Sequence, residues 1–367
     1  MAVMDRGVQS PLSAAEFNEL AMAVFRFQVR AVPVYGAFVR NRGVRPETME
    51  RWEEIPPVPA RAFRELPLVA GAPDTVEAVF RTSGTTGGEG GRGVHRVRDL
   101  DLYRASLLPN ARAHLHPDGG PLEVVALLPA PEDRPESSLV HMAGVLVQEW
   151  GGSRGAHPFL ADAGWRLDME RLAGTLDRLA AGSTPVLVLG TAFAFVHLAD
   201  RARSQELEWR LPPGSRAMET GGFKGRSREV SREELYREIH RVLGVPPERI
   251  VNEYGMTELL SQFYEPVLSG RTSASPAERH LEGPPWVRTR ILDPDRLAPV
   301  ASGTPGLLQH VDLANLYSVS AILTEDVGRR RGEGFTVHGR TPGAEPRGCS
   351  LTMEELLMAR EGEPDHA

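Results

Sequence analysis

Residues 81–93 carry the first pattern that could do chemistry. They read RTSGTTGGEGGRG and follow VEAVF, which has the composition of a strand. Hydroxyls beside glycines let a loop fold back so that its backbone N–H groups converge on an anion. The segment is not a Walker A loop, because no Gly-Lys-Ser/Thr follows at the required spacing. The pattern predicts a phosphate-binding loop, with a flexible turn as the alternative.

A second pattern, NEYGMTELLSQ, follows another strand-like run. At such a strand end Tyr254 could stack on a base and Thr257 could bond a phosphate. Glu258 could hold Mg²⁺ together with phosphate oxygens, which is the usual way of binding this ion. The alternative is a strand-to-helix turn, with Thr257 as the cap and Glu258 in the first helical turn.

Two other segments offer groups that a nucleotide could use. METGGFKGR contains Gly221 and Gly222, whose bare backbone could face a flat base, and Lys224, the one lysine among 42 basic residues. Arginine cannot imitate a compact ammonium group, so a site could require this lysine; chance survival is the alternative. In LTEDVG, Asp326 could accept both hydroxyls of a ribose. The alternative there is an exposed carboxylate in a turn.

Cys349 is the only cysteine. It precedes SLTMEELLMAR, a predicted short helix with Ser350 or Thr352 as its cap. A helix N-terminus favours a thiolate, and the Gly- and Pro-containing tail would let the thiol move. A small, buried structural cysteine is the alternative.

Alternating strand-like and helical segments place the chain in the α/β class. EVVALLP, PVLVLG and RIVNEYG have the composition of buried strands, whereas SSLVHMAGVLVQEW, LDMERLAGTLDRLAAG and SREELYREIHRVLG have helical spacing. This alternation predicts mixed, largely parallel sheets flanked by helices. Capping boxes predict helix starts at Ser13–Glu16 and Ser231–Glu234. After about residue 300, closely spaced short strands follow, including GLLQHVDL and FTVHGR.

Composition excludes several functional classes. The net charge of −7 argues against nucleic acid as a partner. No apolar run approaches the ~20 residues that span a bilayer, and we see no secretory signal. One cysteine cannot form an internal disulfide, which fits a reducing compartment. We therefore expect a cytoplasmic protein without a membrane span.

In their order, TSGTTG, GG, YGMTE, a T-x-D segment and GR resemble the adenylate-forming superfamily, which includes acyl-CoA synthetases and luciferases. The resemblance implies the large N-terminal domain of these enzymes, with ATP and Mg²⁺ as cofactors. It makes Glu258 the metal ligand and Thr257 a contact of the α-phosphate. The remaining matching positions would bind the nucleotide: Thr82, Ser83, Gly84, Thr85, Thr86 and Gly87 at the phosphates, Gly221, Gly222, Tyr254 and Gly255 at adenine, Asp326 at the ribose, and Arg340 at the hinge.

Two departures narrow the resemblance. EGG stands where the usual phosphate loop has Pro-Lys-Gly, and only 27 residues follow Arg340. The usual enzyme continues there with a domain that brings a lysine to adenylation, so Lys224 is the remaining candidate. With GGFKGR, LGTAFAFVHL and RGCS, the chain resembles the acyl-protein synthetases of bacterial luminescence (LuxE type, long-chain-fatty-acid–luciferin-component ligases). We expect an adenylating domain over 1–338 and a reduced C-terminal segment over 339–367.

That resemblance implies activation of a carboxylic, expected fatty, acid as acyl-AMP and its transfer to Cys349. A reductase, acyltransferase or carrier protein would then accept the acyl group. One alternative is a ligase of the phenylacetate–CoA ligase type, which acylates CoA or a carrier protein and needs no thiol of its own. Another is a non-catalytic nucleotide- or acyl-binding protein, because both usual lysines are absent. His141 could line the acyl pocket or be a packed core histidine.

Overall fold

The computed structural model describes residues 1–72, 74–83, 91–151, 157–221, 228–273, 275–340 and 347–361. These residues form two compact units, each described here by itself. The first unit comprises Met1–Leu107, Met256–Ser261 and Gly283–Ala367, and the second comprises Leu108–Gly255 and Gln262–Glu282.

The helices and strands of the described ranges follow one another along both units. In chain order they are α1 (Ala2–Asp5), α2 (Ala14–Ala31), α3 (Pro33–Asn41), β1 (Val58–Pro59), β2 (Ala78–Arg81), β3 (Val94–Val97), α4 (Leu100–Leu115), β4 (Glu123–Ala126), α5 (Ser138–Trp150), α6 (Met169–Ala180), β5 (Val186–Thr191), α7 (Ala192–Ser204), β6 (Arg216–Thr220), α8 (Arg232–Leu243), β7 (Ile250–Tyr254), β8 (Phe263–Tyr264), β9 (Val287–Leu292), β10 (Gly306–Asp312), β11 (Ala321–Arg331), β12 (Gly334–Arg340) and α9 (Arg347–Glu361).

The second unit is built on a sheet of order β4-β5-β6-β7-β8, in which the first four strands are parallel and β8 is antiparallel. Every residue of β5 is buried, which explains its continuous apolar sequence. Helix α8 begins where the Ser231 hydroxyl accepts from the Glu234 N–H, and it ends at Gly244 in the left-handed region. The predicted α/β class is confirmed, and the carboxyl ends of β6 and β7 lie side by side.

The first unit contains the sheet β1-β11-β10-β9, with β12 paired to β11, and a separate hairpin of β2 and β3. Its helix α2 begins with the complete predicted capping box of Ser13 and Glu16. The hairpin matters most for function, because residues 82–93, which include the predicted phosphate loop, connect its two strands.

Helix α9 packs in the first unit against α3. Arg42 forms an ion pair with Glu355 and donates a hydrogen bond of 3.3 Å to the Thr352 hydroxyl. The boundary predicted between residues 338 and 339 lies within β12 and stays a prediction. No helix of the described ranges is both long and apolar enough to cross a membrane, and the cytoplasmic location also stays a prediction.

Candidate active site

The base of the predicted phosphate loop is closed by two hydrogen bonds between Thr82 and Gly93. The Thr82 N–H donates to the Gly93 carbonyl at 3.0 Å, and the Gly93 N–H donates to the Thr82 hydroxyl at 2.8 Å. A Cβ at Gly93 would lie only 2.9 Å from the Thr82 methyl group, so glycine permits this close approach. Ser83 follows at the end of this described stretch. The other predicted loop residues, Gly84, Thr85, Thr86 and Gly87, lie outside the described residues.

Thr257 and Glu258 occupy a turn closed by a hydrogen bond of 3.1 Å from the Leu259 N–H to the Met256 carbonyl. No helix follows within the described residues, so the alternative of Thr257 as a helix cap is wrong. The position of a Cβ at Gly93 is 3.6 Å from Oε1 of Glu258. The carboxylate therefore lies beside the base of the loop.

Glu258 is a buried carboxylate whose charge is poorly compensated. Burial, assisted by the nearby charge of Asp326, raises its pKa from 4.5 to about 7, although Arg340 and Arg64 act in the opposite direction. Among the described residues no other residue forms a salt bridge or hydrogen bond with this carboxylate. A bound cation would stabilise the charged form, so Glu258 fits the predicted role of a Mg²⁺ ligand. No group of three or more acidic, His or Cys residues in the described ranges could hold a metal, so phosphate oxygens and water would have to complete the coordination.

Asp326 lies in the middle of β11, so the alternative of an exposed carboxylate in a turn at LTEDVG is wrong. Asp326 pairs with Arg340 of β12, and the register shifts between Asp326 and Gly328. Its Oδ1 is 3.6 Å from Nε of Arg340, while its N–H donates to the Thr324 hydroxyl at 3.1 Å. The Asp326 side chain is 19% exposed, so a ribose hydroxyl could reach its carboxylate.

The predicted adenine contacts lie in the second unit, at adjacent strand ends. Thr220 ends β6 and pairs with Glu253 of β7, and its hydroxyl donates to the Glu253 carboxylate. Gly221 follows with φ of +69°, which favours glycine. The Tyr254 ring lies 5.8 Å from that of Phe263, and a Cβ at Gly255 would collide with the Glu253 carboxylate.

Two predicted nucleotide-site positions of the second unit, Gly222 and Lys224, lie outside the described residues. His141 is partly buried on α5, and burial lowers its pKa. Neither observation tests the predicted role of these residues.

Cys349 is buried in the first unit, with 1% of its surface exposed. It packs in an apolar cluster with Leu292, Leu307 and Leu323. Helix α9 begins at Arg347, so Cys349 lies in its first turn and does not precede the helix as predicted. The predicted cap is wrong, because the Thr352 hydroxyl donates at 2.8 Å to the Gly348 carbonyl within the helix.

His95 is a residue of this region that the sequence analysis missed. It lies on β3, two residues after Gly93, and its Nδ1 is 2.8 Å from the Thr257 carbonyl oxygen. The signal that could have identified it is a histidine in the short strand VHRV, directly after the predicted phosphate loop.

Two curated proteins resemble this chain at the level of sequence. They are the long-chain-fatty-acid–luciferin-component ligases of Vibrio harveyi, at 24% identity, and Aliivibrio fischeri, at 23%, each over 204 residues. Each match covers 53% of this chain and 51% of the relative. The chain thus spans about half the length of the curated relatives it matches.

Solved structures show the same fold. The open conformation of 2-hydroxyisobutyryl-CoA ligase with 2-HIB-AMP and CoA gives a TM-score of 0.63 at 16% identity, covering 90% of this chain and 71% of that one. The same ligase in the postadenylation state with 2-HIB-AMP gives 0.59 at 16% identity, covering 89% and 67%. This likeness confirms the predicted adenylate-forming fold.

The family match extends through nearly all of the sequence. The family described as acyl-protein synthetase, LuxE, matches residues 9–358. This range includes the phosphate-loop hairpin, the Thr257–Glu258 turn, Asp326 and Cys349. The resemblance inferred from the motifs is confirmed: the chain belongs to the LuxE acyl-protein synthetase family.

Proposed function

We propose that this protein uses ATP and Mg²⁺ to activate a carboxylic acid, expected to be a fatty acid, and loads it on Cys349. One observation carries the adenylation step: Glu258 is a buried, poorly compensated carboxylate beside the base of the phosphate loop. Leaving such a charge unpaired is unfavourable unless a ligand compensates it. Family membership and fold support the same reaction class.

In the first half-reaction the substrate carboxylate attacks the α-phosphorus of ATP, and pyrophosphate leaves. Thr82, Ser83 and the loop residues after them would hold the phosphates, and Thr257 would contact the α-phosphate. Mg²⁺ on Glu258 would neutralise negative charge on the phosphate oxygens. Asp326 would accept the ribose hydroxyls, with Arg340 beside it.

In the second unit, Gly221 and Gly222 would face adenine, and Tyr254 and Gly255 would form the stacking surface. Lys224 would supply the cation that a C-terminal lysine supplies in larger adenylating enzymes. Its ammonium group could approach the developing charge where an arginine could not. These roles rest on the motif match and on the strand-end positions of Gly221, Tyr254 and Gly255.

In the second half-reaction the Cys349 thiolate attacks the acyl carbon of the mixed anhydride, the C–O bond to phosphate breaks, and AMP leaves. The thiol would first have to leave its apolar surroundings, because only 1% of Cys349 is exposed. The acyl group would then pass to a partner reductase, acyltransferase or carrier protein, since a protein thioester is an intermediate. The adenylating part would span 1–338, and 339–367 would carry the acceptor.

The burial of Cys349 also favours a second candidate. A ligase that transfers the acyl group to CoA or to a carrier-protein thiol would use the same adenylation site and leave Cys349 in the core. The two functions share the first half-reaction and differ only in the acceptor.

The Cys349→Ser variant distinguishes them. We expect it to retain acid-dependent ATP–pyrophosphate exchange, because no adenylation residue changes, and to lose stable acylation, because a hydroxyl without an adjacent base is a weak nucleophile. Intact-protein mass spectrometry with ATP, Mg²⁺ and a panel of acids should show one added acyl group on the wild type only.

Neutral hydroxylamine should remove that group, as a thioester requires. Because Cys349 is the only cysteine, no other thiol can account for the modification. Acylation of the serine variant, or a wild type that is never acylated although it exchanges pyrophosphate, would favour the CoA or carrier-protein ligase. ATP binding without exchange for any acid would identify a non-catalytic nucleotide-binding protein.

A further inference from the structure

His95 connects the phosphate-loop hairpin to the turn that carries Thr257 and Glu258. It lies on β3 in register with Phe80, and 1% of its surface is exposed. Its Nδ1 is 2.8 Å from the Thr257 carbonyl oxygen, and its ring contacts Phe63 edge-on with centroids 5.3 Å apart. The imidazole therefore has little freedom to move away from the turn.

The chemistry of the contact fixes the state of the imidazole. A carbonyl oxygen can only accept, so Nδ1 must carry the proton and donate it. Burial lowers the pKa of His95 to about 4, so the ring is neutral at physiological pH. The hydrogen bond is thus present over the whole range in which an enzyme of this class would work.

The position of His95 gives this single bond its importance. Two residues before it, Gly93 forms the paired hydrogen bonds with Thr82 that close the loop. The bond from His95 then joins the same hairpin to the peptide between Thr257 and Glu258. The loop base and the turn are therefore held together by a short, rigid connection.

We propose that His95 is a positioning residue, which sets the distance from the base of the hairpin loop, at Thr82 and Gly93, to the Thr257–Glu258 turn. This inference rests on the proposed adenylation function and extends it, since His95 acts through Thr257 and Glu258 and touches no reacting atom. A displacement of about 1 Å in such a site can lower a rate by roughly a hundredfold. A core histidine with a purely structural role would affect stability alone.

Two substitutions separate these roles. His95→Leu removes the donor, and His95→Asn keeps an N–H donor near the place of Nδ1. We expect His95→Leu to lower the maximal rate of acid-dependent ATP–pyrophosphate exchange about tenfold to a hundredfold and to require more Mg²⁺ for half-maximal rate. The KM for the acid should stay unchanged, and His95→Asn should recover most of the rate.

His310→Leu provides the matched control. His310 is also a fully buried histidine of the first unit with its pKa lowered, to about 3, and its Nδ1 lies 2.9 Å from the Thr289 hydroxyl. This substitution should lower the thermal midpoint comparably while leaving exchange per folded molecule unchanged. Equal losses in His95→Leu and His310→Leu, or no rescue by asparagine, would overturn the inference.

Failure of the proposed function is recognised separately, because wild-type protein would then show no exchange with any acid. In that case the affinity for Mg²⁺–ATP, measured by calorimetry, replaces the rate. Weaker binding by His95→Leu with recovery by His95→Asn would uphold the positioning role. Unchanged binding by both variants, or no binding by the wild type, would refute it.

Discussion

Each unit buries a glutamate, and the two glutamates differ in the hydrogen bonds and ion pairs that their carboxylates form. In the second unit Glu265 accepts hydrogen bonds from Arg232 at 2.6 Å and from Arg279 at 3.3 Å. In the first unit Glu258 is also buried, yet no other described residue forms a hydrogen bond or salt bridge with its carboxylate. A buried charge is tolerated when it is paired and is costly when it is not. Glu265 is thus explained by the fold, whereas for Glu258 we propose a ligand as the compensating group.

Glu219 is an intermediate case. It accepts hydrogen bonds from the Tyr236 hydroxyl at 3.1 Å and from the Asn252 amide at 2.7 Å. Burial raises its pKa to about 7, although the charge of Arg232 and the hydrogen bonds from Asn252 and Tyr236 act in the opposite direction. A raised carboxyl pKa therefore does not by itself identify a ligand-binding site. The distinguishing feature of Glu258 is that it lies beside the base of the predicted phosphate loop and that no other residue of the described ranges donates to its carboxylate.

Substitution of Glu258 should have the largest effect on activity. Glu258→Gln keeps the shape and removes the anionic ligand, so we expect acid-dependent ATP–pyrophosphate exchange to fall at least about a hundredfold. Glu258→Asp, which keeps the charge, should retain more activity than the glutamine variant. Equal exchange by wild type and Glu258→Gln would remove Glu258 from the site.

The corresponding change in the second unit should affect stability instead. Glu265→Gln removes the charge that pairs with the buried Arg279 guanidinium, and breaking a buried ion pair costs about 3–5 kcal/mol. Urea unfolding should reveal this loss, while exchange per folded molecule should stay near the wild-type value. A stable Glu265→Gln variant without exchange would contradict the structural role of Glu265.

Patterns local in sequence predicted the framework well. The capping box of Ser13 and Glu16 and the apolar run of β5 are set by residues that are neighbours along the chain. The same holds for the order of the TSGTTG and YGMTE motifs, from which the family was inferred. Local hydrogen bonds and hydrophobic periodicity can be recognised in the sequence without knowledge of the tertiary structure.

The mistakes and omissions arose from contacts between distant segments. The burial of Cys349 by Leu292, Leu307 and Leu323 cannot be read from the residues next to it. A turn was the alternative for Asp326 because pairing with β12 cannot be read from LTEDVG itself. His95 was missed because its partner Thr257 lies 162 residues away. Each of these contacts joins segments that are not neighbours along the chain, so the sequence around one partner does not specify it.

The pH dependence of stability should show the smallest effect, and it tests whether the Glu258 carboxyl keeps its proton in the folded protein. The pKa of Glu258 is about 7 in the folded protein and 4.5 as the ordinary value. At a pH between these two values, Glu258 has lost its proton in the unfolded chain but keeps it in the folded protein. Rising pH therefore lowers the free energy of unfolding, and this effect levels off above about pH 7. The full shift corresponds to at most about 3 kcal/mol.

Glu258→Gln removes this titration and leaves the other buried carboxyls in place. The free energy of unfolding of the variant minus that of the wild type should therefore grow as the pH rises from about 4.5 to about 7. Urea titrations across that range measure the difference directly. Saturating Mg²⁺–ATP should reduce it at the upper end, because the ligand binds the wild-type carboxylate and compensates its charge. A difference that does not vary with pH would mean that Glu258 is ionised and satisfied in the folded protein, and the contrast with Glu265 would disappear.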